Sequence, residues 1–95
     1  MSDPISVRDN SSSRRFEATL DGGTAFLSYQ RKSDSIILVH TQVPSALAGR
    51  GVGGELVRTA LDYARREGLS VIPQCSFAAS FIEKHPEFGD LVQHI

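Results

Sequence analysis

The chain has one cysteine, no tryptophan and only four prolines, and its ten basic and eleven acidic residues leave a formal net charge of −1. A single cysteine can form neither an internal disulfide nor a cysteine-rich zinc site. The near-neutral balance argues against a dedicated nucleic-acid binder, which carries a strong basic excess. No apolar run approaches the roughly 20 residues that cross a bilayer. Residues 1–13, with Pro4 and Ser11-Ser12-Ser13, lack the apolar core of a secretory leader. They read as a loosely attached, flexible tail. What is present suits one small globular core: 95 residues, 40% hydrophobic and 22% charged. The expectation is a cytoplasmic monomer, residues 14–95 forming a single domain, with neither nucleic acid nor membrane as partner.

Hydrophobic periodicity supplies the elements. Phe16, Ala18 and Leu20 alternate with polar residues, and Ala25, Leu27 and Tyr29 do so again after Asp21-Gly22-Gly23. That pattern predicts an antiparallel hairpin with a tight turn. Ile36-Ile37-Leu38-Val39 begins a third strand, running to Val43, apolar on both faces at first and so expected at the centre of the sheet. Over residues 52–67 the apolar positions Val52, Leu56, Val57, Ala60, Leu61 and Ala64 follow helical spacing, and Gly68 is a candidate C-cap. Leu69 to Ile72 predicts a fourth strand, parallel to the third because a helix crosses between them. Phe77, Phe81 and Ile82 suggest a short helix broken before His85-Pro86, and Leu91-Val92 a further helical turn. The fold class is therefore mixed α/β (α+β): antiparallel strands first, then a β-α-β unit, then a short helix.

Between the third strand and the long helix lies Gly49-Arg50-Gly51-Val52-Gly53-Gly54. Glycine lets a backbone approach a ligand closely and adopt positive φ. The first turn of a helix offers unpaired N–H groups and the positive end of its dipole. The combination predicts an anion site, most often for phosphate or pyrophosphate. The run matches the dinucleotide fingerprint formally, yet that fingerprint needs an acid roughly 20 positions on. Pro73 and Gln74 stand there. A Walker loop is excluded as well, since Glu55 occupies the place of its lysine.

Strand, Val43-Pro44, glycine-rich turn and long helix together resemble the coenzyme A-binding core of the GCN5-related N-acetyltransferases. The segments Ala60-Leu61-Asp62-Tyr63-Ala64, Val71-Ile72-Pro73-Gln74-Cys75-Ser76-Phe77 and His85-Pro86-Glu87-Phe88 are similar to the small single-domain subfamily in particular. The resemblance spans about Phe16 to Val92 and implies that acetyl-CoA is the cofactor. In the family the turn reads Gln/Arg-x-x-Gly-x-Gly/Ala, which falls here on Ala48, Gly51 and Gly53. Ala48 departs from the pattern, and Arg50 is a candidate for the missing positive charge. The resemblance thus implies that Ala48, Gly49, Arg50, Gly51, Val52, Gly53 and Gly54 hold the pyrophosphate, and that the backbone of Gln42 and Val43 meets the pantetheine arm.

Two residues are candidates for the chemistry. Many relatives place a glutamate on the strand entering the turn; this chain has His40-Thr41-Gln42. An unperturbed imidazole changes charge near neutral pH, so His40 could take the acceptor's proton, or it is simply a hydrogen-bonded strand histidine. Cys75 follows the fourth strand, where its thiol could accept the acetyl group or protonate the departing CoA thiolate. It could equally be a small buried hydrophobe. His85 is a possible companion to Cys75. Full-length relatives also carry helices between their first two strands, absent here, so the resemblance implies an open, shallow acceptor side, suited to an exposed or bulky amine on a protein or peptide or to an acceptor completed by a partner. Three functions remain open: an acetyl-CoA-dependent N-acetyltransferase, a non-catalytic acyl-CoA or phosphate-ligand module, and a thiol redox sensor built on Cys75.

Overall fold

Alternating side chains build the first half of the chain into a sheet. The computed structural model describes residues 5–20 and 22–92. Their strands β1 (Arg8–Asn10), β2 (Arg15–Leu20), β3 (Gly23–Arg31), β4 (Ser35–Gln42) and β5 (Ser70–Pro73) lie side by side in chain order. The first four pair antiparallel; β4 and β5 run parallel from Ser35↔Ser70 to Leu38↔Pro73. Helix α1 (Val52–Glu67) crosses between them, and α2 (Ser76–Lys84) follows β5. A 3-10 turn over Pro86–Leu91 comes last, and Val92 bridges to Val71. No helix among the described residues is long and apolar enough to cross a membrane.

The α1 stripe expected from its spacing is the centre of the core. Leu56, Val57, Ala60, Leu61 and Ala64 are shut off from solvent against Phe16, Ala18, Ala25, Leu27 and Leu38 of the sheet. Truncating one such leucine to alanine costs about 2–5 kcal/mol. With its whole length seated, α1 holds its N-terminus in a fixed place. At the other end Gly68 adopts φ 69°, and its N–H bonds the carbonyls of Ala64 and Arg65. The Arg65 guanidinium then donates to the Asp90 carboxylate at 3.0 Å and the Glu87 carbonyl at 2.9 Å, tying α1 to the last turn.

Several details depart from the sequence-based expectation. Within the tail assigned to residues 1–13, Arg8–Asn10 is an edge strand paired with Arg15–Glu17. Polar side chains hold it there. Arg8, Asn10 and Arg15 converge on the Glu17 carboxylate, which the Arg15 guanidinium at 2.6 Å keeps below the usual carboxylate range. The Tyr29 hydroxyl donates to Asp9 at 2.7 Å; burial first, and then this carboxylate, push the phenol's pKa upward. The added strand shifts the middle of the sheet to β3, so β4 is interior but not central. Strand β5 lies one residue later than expected, and the final turn is a 3-10 turn rather than α-helix. The β2–β3 pairing closes to Leu20↔Gly23 with Gly22 at φ 80°, as a tight turn requires, while Asp21 lies outside the described residues.

The four glycines before and within α1 divide into two kinds. Gly49 and Gly51 sit at φ 78°, where an L side chain is strained, and Gly51 is the α1 N-cap. Gly53 and Gly54 are ordinary helical residues whose missing side chains admit α2. A Cβ on Gly53 would meet the tip of the Phe77 ring at 2.8 Å, and one on Gly54 the Phe81 ring at 3.5 Å. Substitution should separate the two kinds. Gly51→Ala should lower unfolding free energy by about 1–2 kcal/mol through left-handed strain. Gly53→Ala should stay within about 0.5 kcal/mol of wild type, because the gain in helix propensity offsets displacement of an exposed ring tip. Urea unfolding checks both.

Candidate functional site

The β4–β5 ladder ends at Leu38↔Pro73, and there the two elements part. Strand β4 carries a bulge just beyond: Ser28 pairs with His40 but Tyr29 with Leu38, leaving Val39 extra. Such bulges re-aim the side chains that follow them. Among the described residues no strand pairs with the outer edge of β4 past Leu38. Cys75 instead turns in beside it, its N–H donating to the Leu38 carbonyl at 2.9 Å. The backbone of Gln42 and Val43, expected to meet a pantetheine arm, lies at the end of this unpaired edge.

From β4 the chain passes through Val43-Pro44 into a 3-10 turn, Ser45–Leu47. Leu47 is fully buried and anchors the loop, its side chain and that of Pro44 lying where a Cβ on Gly23 would come within 3.6 Å. Ala48, Gly49, Arg50 and Gly51 then stand exposed, and α1 begins at Val52. No side chain of the described residues caps this N-terminus, and Gly51, having none, leaves the first-turn amides of Val52, Gly53 and Gly54 without one. Glu55 is the acid of the first turn; its N–H bonds the Gly51 carbonyl at 3.1 Å. Amides, dipole and the nearby Arg50 guanidinium suit an anion.

Cys75 is half-buried at the N-cap of α2. Its Sγ lies 3.2 Å from the Thr41 hydroxyl. Burial pushes the thiol up, but hydrogen bonds from the Thr41 hydroxyl and from the backbone of Ala78 and Phe77 outweigh it, leaving the pKa below the ordinary thiol value. The arrangement can hold a thiolate or deliver a thiol proton.

His40 is elsewhere. Thr41 pairs with Leu27 and so faces the core side, whereas His40 and Gln42 pair with Ser28 and Phe26 and face the opposite side. The His40 ring stands edge-on to Phe26, 6.2 Å between centroids. The structure therefore brings Cys75 to Thr41 and does not bring His40 to Cys75. His85 is not a partner for the thiol either: its Nδ1 bonds the Phe81 carbonyl at 2.8 Å and its ring stacks on Phe81 at 3.9 Å. Sequence reasoning missed Thr41 and Leu47, and the helical spacing of Phe77 did not reveal that this residue stands 45% exposed above Gly53. Thr41 was reachable in principle: an alternating strand that places Leu27 inward also places its cross-strand neighbour inward, once the bulge is known.

Comparison with known proteins agrees with this architecture. The family described as GCN5-related N-acetyl-transferase matches residues 15–91. Protein NATD1 of Bos taurus is 34% identical over 86 residues, covering 87% of this chain and 76% of the relative. NATD1 of Homo sapiens is 33% identical with the same coverage, and that of Danio rerio 27% identical over 95% of this chain and 86% of its own. The solution NMR structure of a GCN5-like candidate N-acetyltransferase from Staphylococcus aureus superposes with a TM-score of 0.74 at 26% identity, over 96% of this chain and 90% of that one.

The thiol geometry has a direct readout. Alkylation of Cys75 by iodoacetamide should rise with pH through an inflection lower than that of an unperturbed cysteine thiol measured alongside. Only the thiolate reacts, and a depressed pKa moves its appearance to lower pH. Thr41→Val should move the inflection upward by removing the hydroxyl that favours the thiolate.

Proposed function

Because the chain belongs to the GCN5-related N-acetyltransferase family, we propose that it transfers the acetyl group of acetyl-CoA to an exposed or bulky amine. The observation that carries this reading is the uncapped, left-handed start of α1 placed next to an unpaired β4 edge that ends at Cys75. The amides of Gly51, Val52, Gly53 and Gly54 would hold a pyrophosphate, with Arg50 adding charge from the exposed turn. Gln42 and Val43 would meet the amides of the pantetheine arm as one strand meets another. Acetyl-CoA, when bound, supplies an activated thioester.

The chain's own part in the chemistry follows from the thiol site. Cys75, held at Thr41 beside the α2 amides, either gives a proton to a departing thiolate or accepts the acyl group itself. Backbone N–H groups at that helix start favour developing negative charge on an oxygen or sulfur. His40, on the opposite side of the sheet, acts only on an acceptor approaching from there. That side carries Phe26 and the exposed His40 and Gln42, an open surface suited to an amine on a larger molecule rather than an enclosed metabolite.

One observation favours a second reading. Among the described residues the Cys75 thiol is held by the Thr41 hydroxyl and by backbone groups rather than by a histidine or carboxylate, and His40 faces away from it. A module that binds acyl-CoA without turnover would look the same at the phosphate turn. Turnover separates the two. CoA should raise the melting temperature by mass action. Incubation with acetyl-CoA and a panel of amines and peptides should release free thiol above background, and Cys75→Ala should reduce that rate at least tenfold with CoA binding intact. Stabilisation by CoA without thiol release across the panel supports the module; no stabilisation at millimolar CoA removes both readings.

A further inference from the structure

Helix α1 packs over β2 to β5 and makes little contact with the edge strand β1. A groove of about 430 Å³ remains between the two, within the size range of small-molecule sites. Thr59, Asp62, Tyr63 and Arg66 form its α1 wall, at the spacing of one helix face. Val7 and Asp9 form the β1 wall, and the buried Phe16 completes the lining. The Phe16 and Tyr63 rings meet edge-on, 5.7 Å between centroids. This place is separate from the turn and the thiol. Thr59 to Arg66 lie about 10–21 Å along α1 from its start at Val52. Strand β1 stands three strands from β4, about 14 Å across the sheet.

The charges of both signs on this groove define what it can hold. Asp9 pairs with Phe16 in the β1–β2 register, so its carboxylate turns to the α1 side of the sheet. The Tyr29 hydroxyl donates to one of its oxygens at 2.7 Å and fixes the group, which retains capacity for further donors. Asp62 and Arg66 stand exposed on the α1 wall, and neither enters an ion pair among the described residues. The Arg66 guanidinium lies 5.8 Å from the Tyr63 ring centroid, while Arg31 donates to the Tyr63 hydroxyl at 2.7 Å and holds that ring. A purely cationic ligand would be repelled by Arg66, and a purely anionic one by Asp9 and Asp62. A zwitterion with an apolar body meets each charge with its opposite. We propose that the groove binds a free α-amino acid with an apolar side chain. Its ammonium takes the Asp9 and Asp62 carboxylates, and its carboxylate takes the Arg66 guanidinium. Its side chain rests on Val7, Phe16 and Tyr63. Bound there, it bridges β1 to α1 as an effector rather than an acceptor, because its amine sits three strands away from the β4 edge beside Cys75.

Calorimetric titration of the whole chain with L-leucine, L-methionine and L-phenylalanine tests this, each beside the amine that lacks its carboxylate and the acid that lacks its ammonium. At least one amino acid should bind saturably, and both of its single-charge analogues about tenfold more weakly or worse, the loss of a charge-assisted contact. Asp62→Asn and Arg66→Gln, exposed changes that leave the core alone, should each weaken that amino acid by a similar factor. In amide-resolved NMR the shifts should fall on residues 7–9 and 59–66. Any of four results overturns the assignment: no saturable binding at millimolar amino acid, an analogue binding as tightly as its parent, unchanged affinity in both variants, or shifts confined to the start of α1 and the β4 edge. None of the four bears on the coenzyme reading, which CoA binding tests separately.

Discussion

Everything at the site depends on a helix that starts without a cap. A typical α-helix satisfies its first amides with a Ser, Thr, Asp or Asn side chain. Here Gly51 occupies that place with φ 78° and no side chain to give. The omission costs the fold a fraction of what a good cap would contribute, and it is sustained because α1 is seated along its whole apolar stripe. Leu56, Val57, Ala60, Leu61 and Ala64 are buried against four strands, so packing rather than capping determines where the helix begins. The polar start is thus presented to the outside by a rigid support, an arrangement that suits an anion.

The glycine run that marks this site serves two structural purposes at once. Gly49 and Gly51 let the loop reverse into the helix. Gly53 and Gly54 let α2 approach until Phe77 and Phe81 occupy the space of their absent side chains. The consequence reaches beyond packing. Through those contacts the second helix is located by the same residues that build the turn, and with it Cys75 at its N-cap. Anion turn and thiol therefore share one mechanical frame, and a shift of either helix would disturb both.

Much of this was legible in the sequence because the relevant signals were periodic. Strand β2 falls on Arg15–Leu20 and α1 on Val52–Glu67 as the alternation and the helical spacing indicate. The parallel pairing of β4 and β5 followed from the helix between them. What escaped were features created by neighbours rather than by local pattern. Arg8-Asp9-Asn10 has no strand-like composition; it becomes a strand because Glu17 and Tyr29 bind its side chains across the sheet. The bulge at Val39 leaves no mark on an apolar run, yet it decides that His40 faces away from Cys75 while Thr41 faces toward it. The spacing of Phe77 marked a helix but not its exposure, and only the approach to Gly53 shows where its ring lies. The glycine run located the turn and the fourth strand's end located the cysteine, whereas the partner of that cysteine depended on the bulge.

The central claim is that the amides opening α1 grip the diphosphate of a coenzyme. The most direct measurement is an amide-resolved NMR titration of the labelled protein with CoA, following the backbone N–H signals of Gly51, Val52, Gly53 and Gly54. The account expects these four to move most, downfield and saturably, with the β4 edge at Gln42 and Val43 following. Saturable binding whose shifts lie elsewhere, with the four amides unmoved, would contradict it.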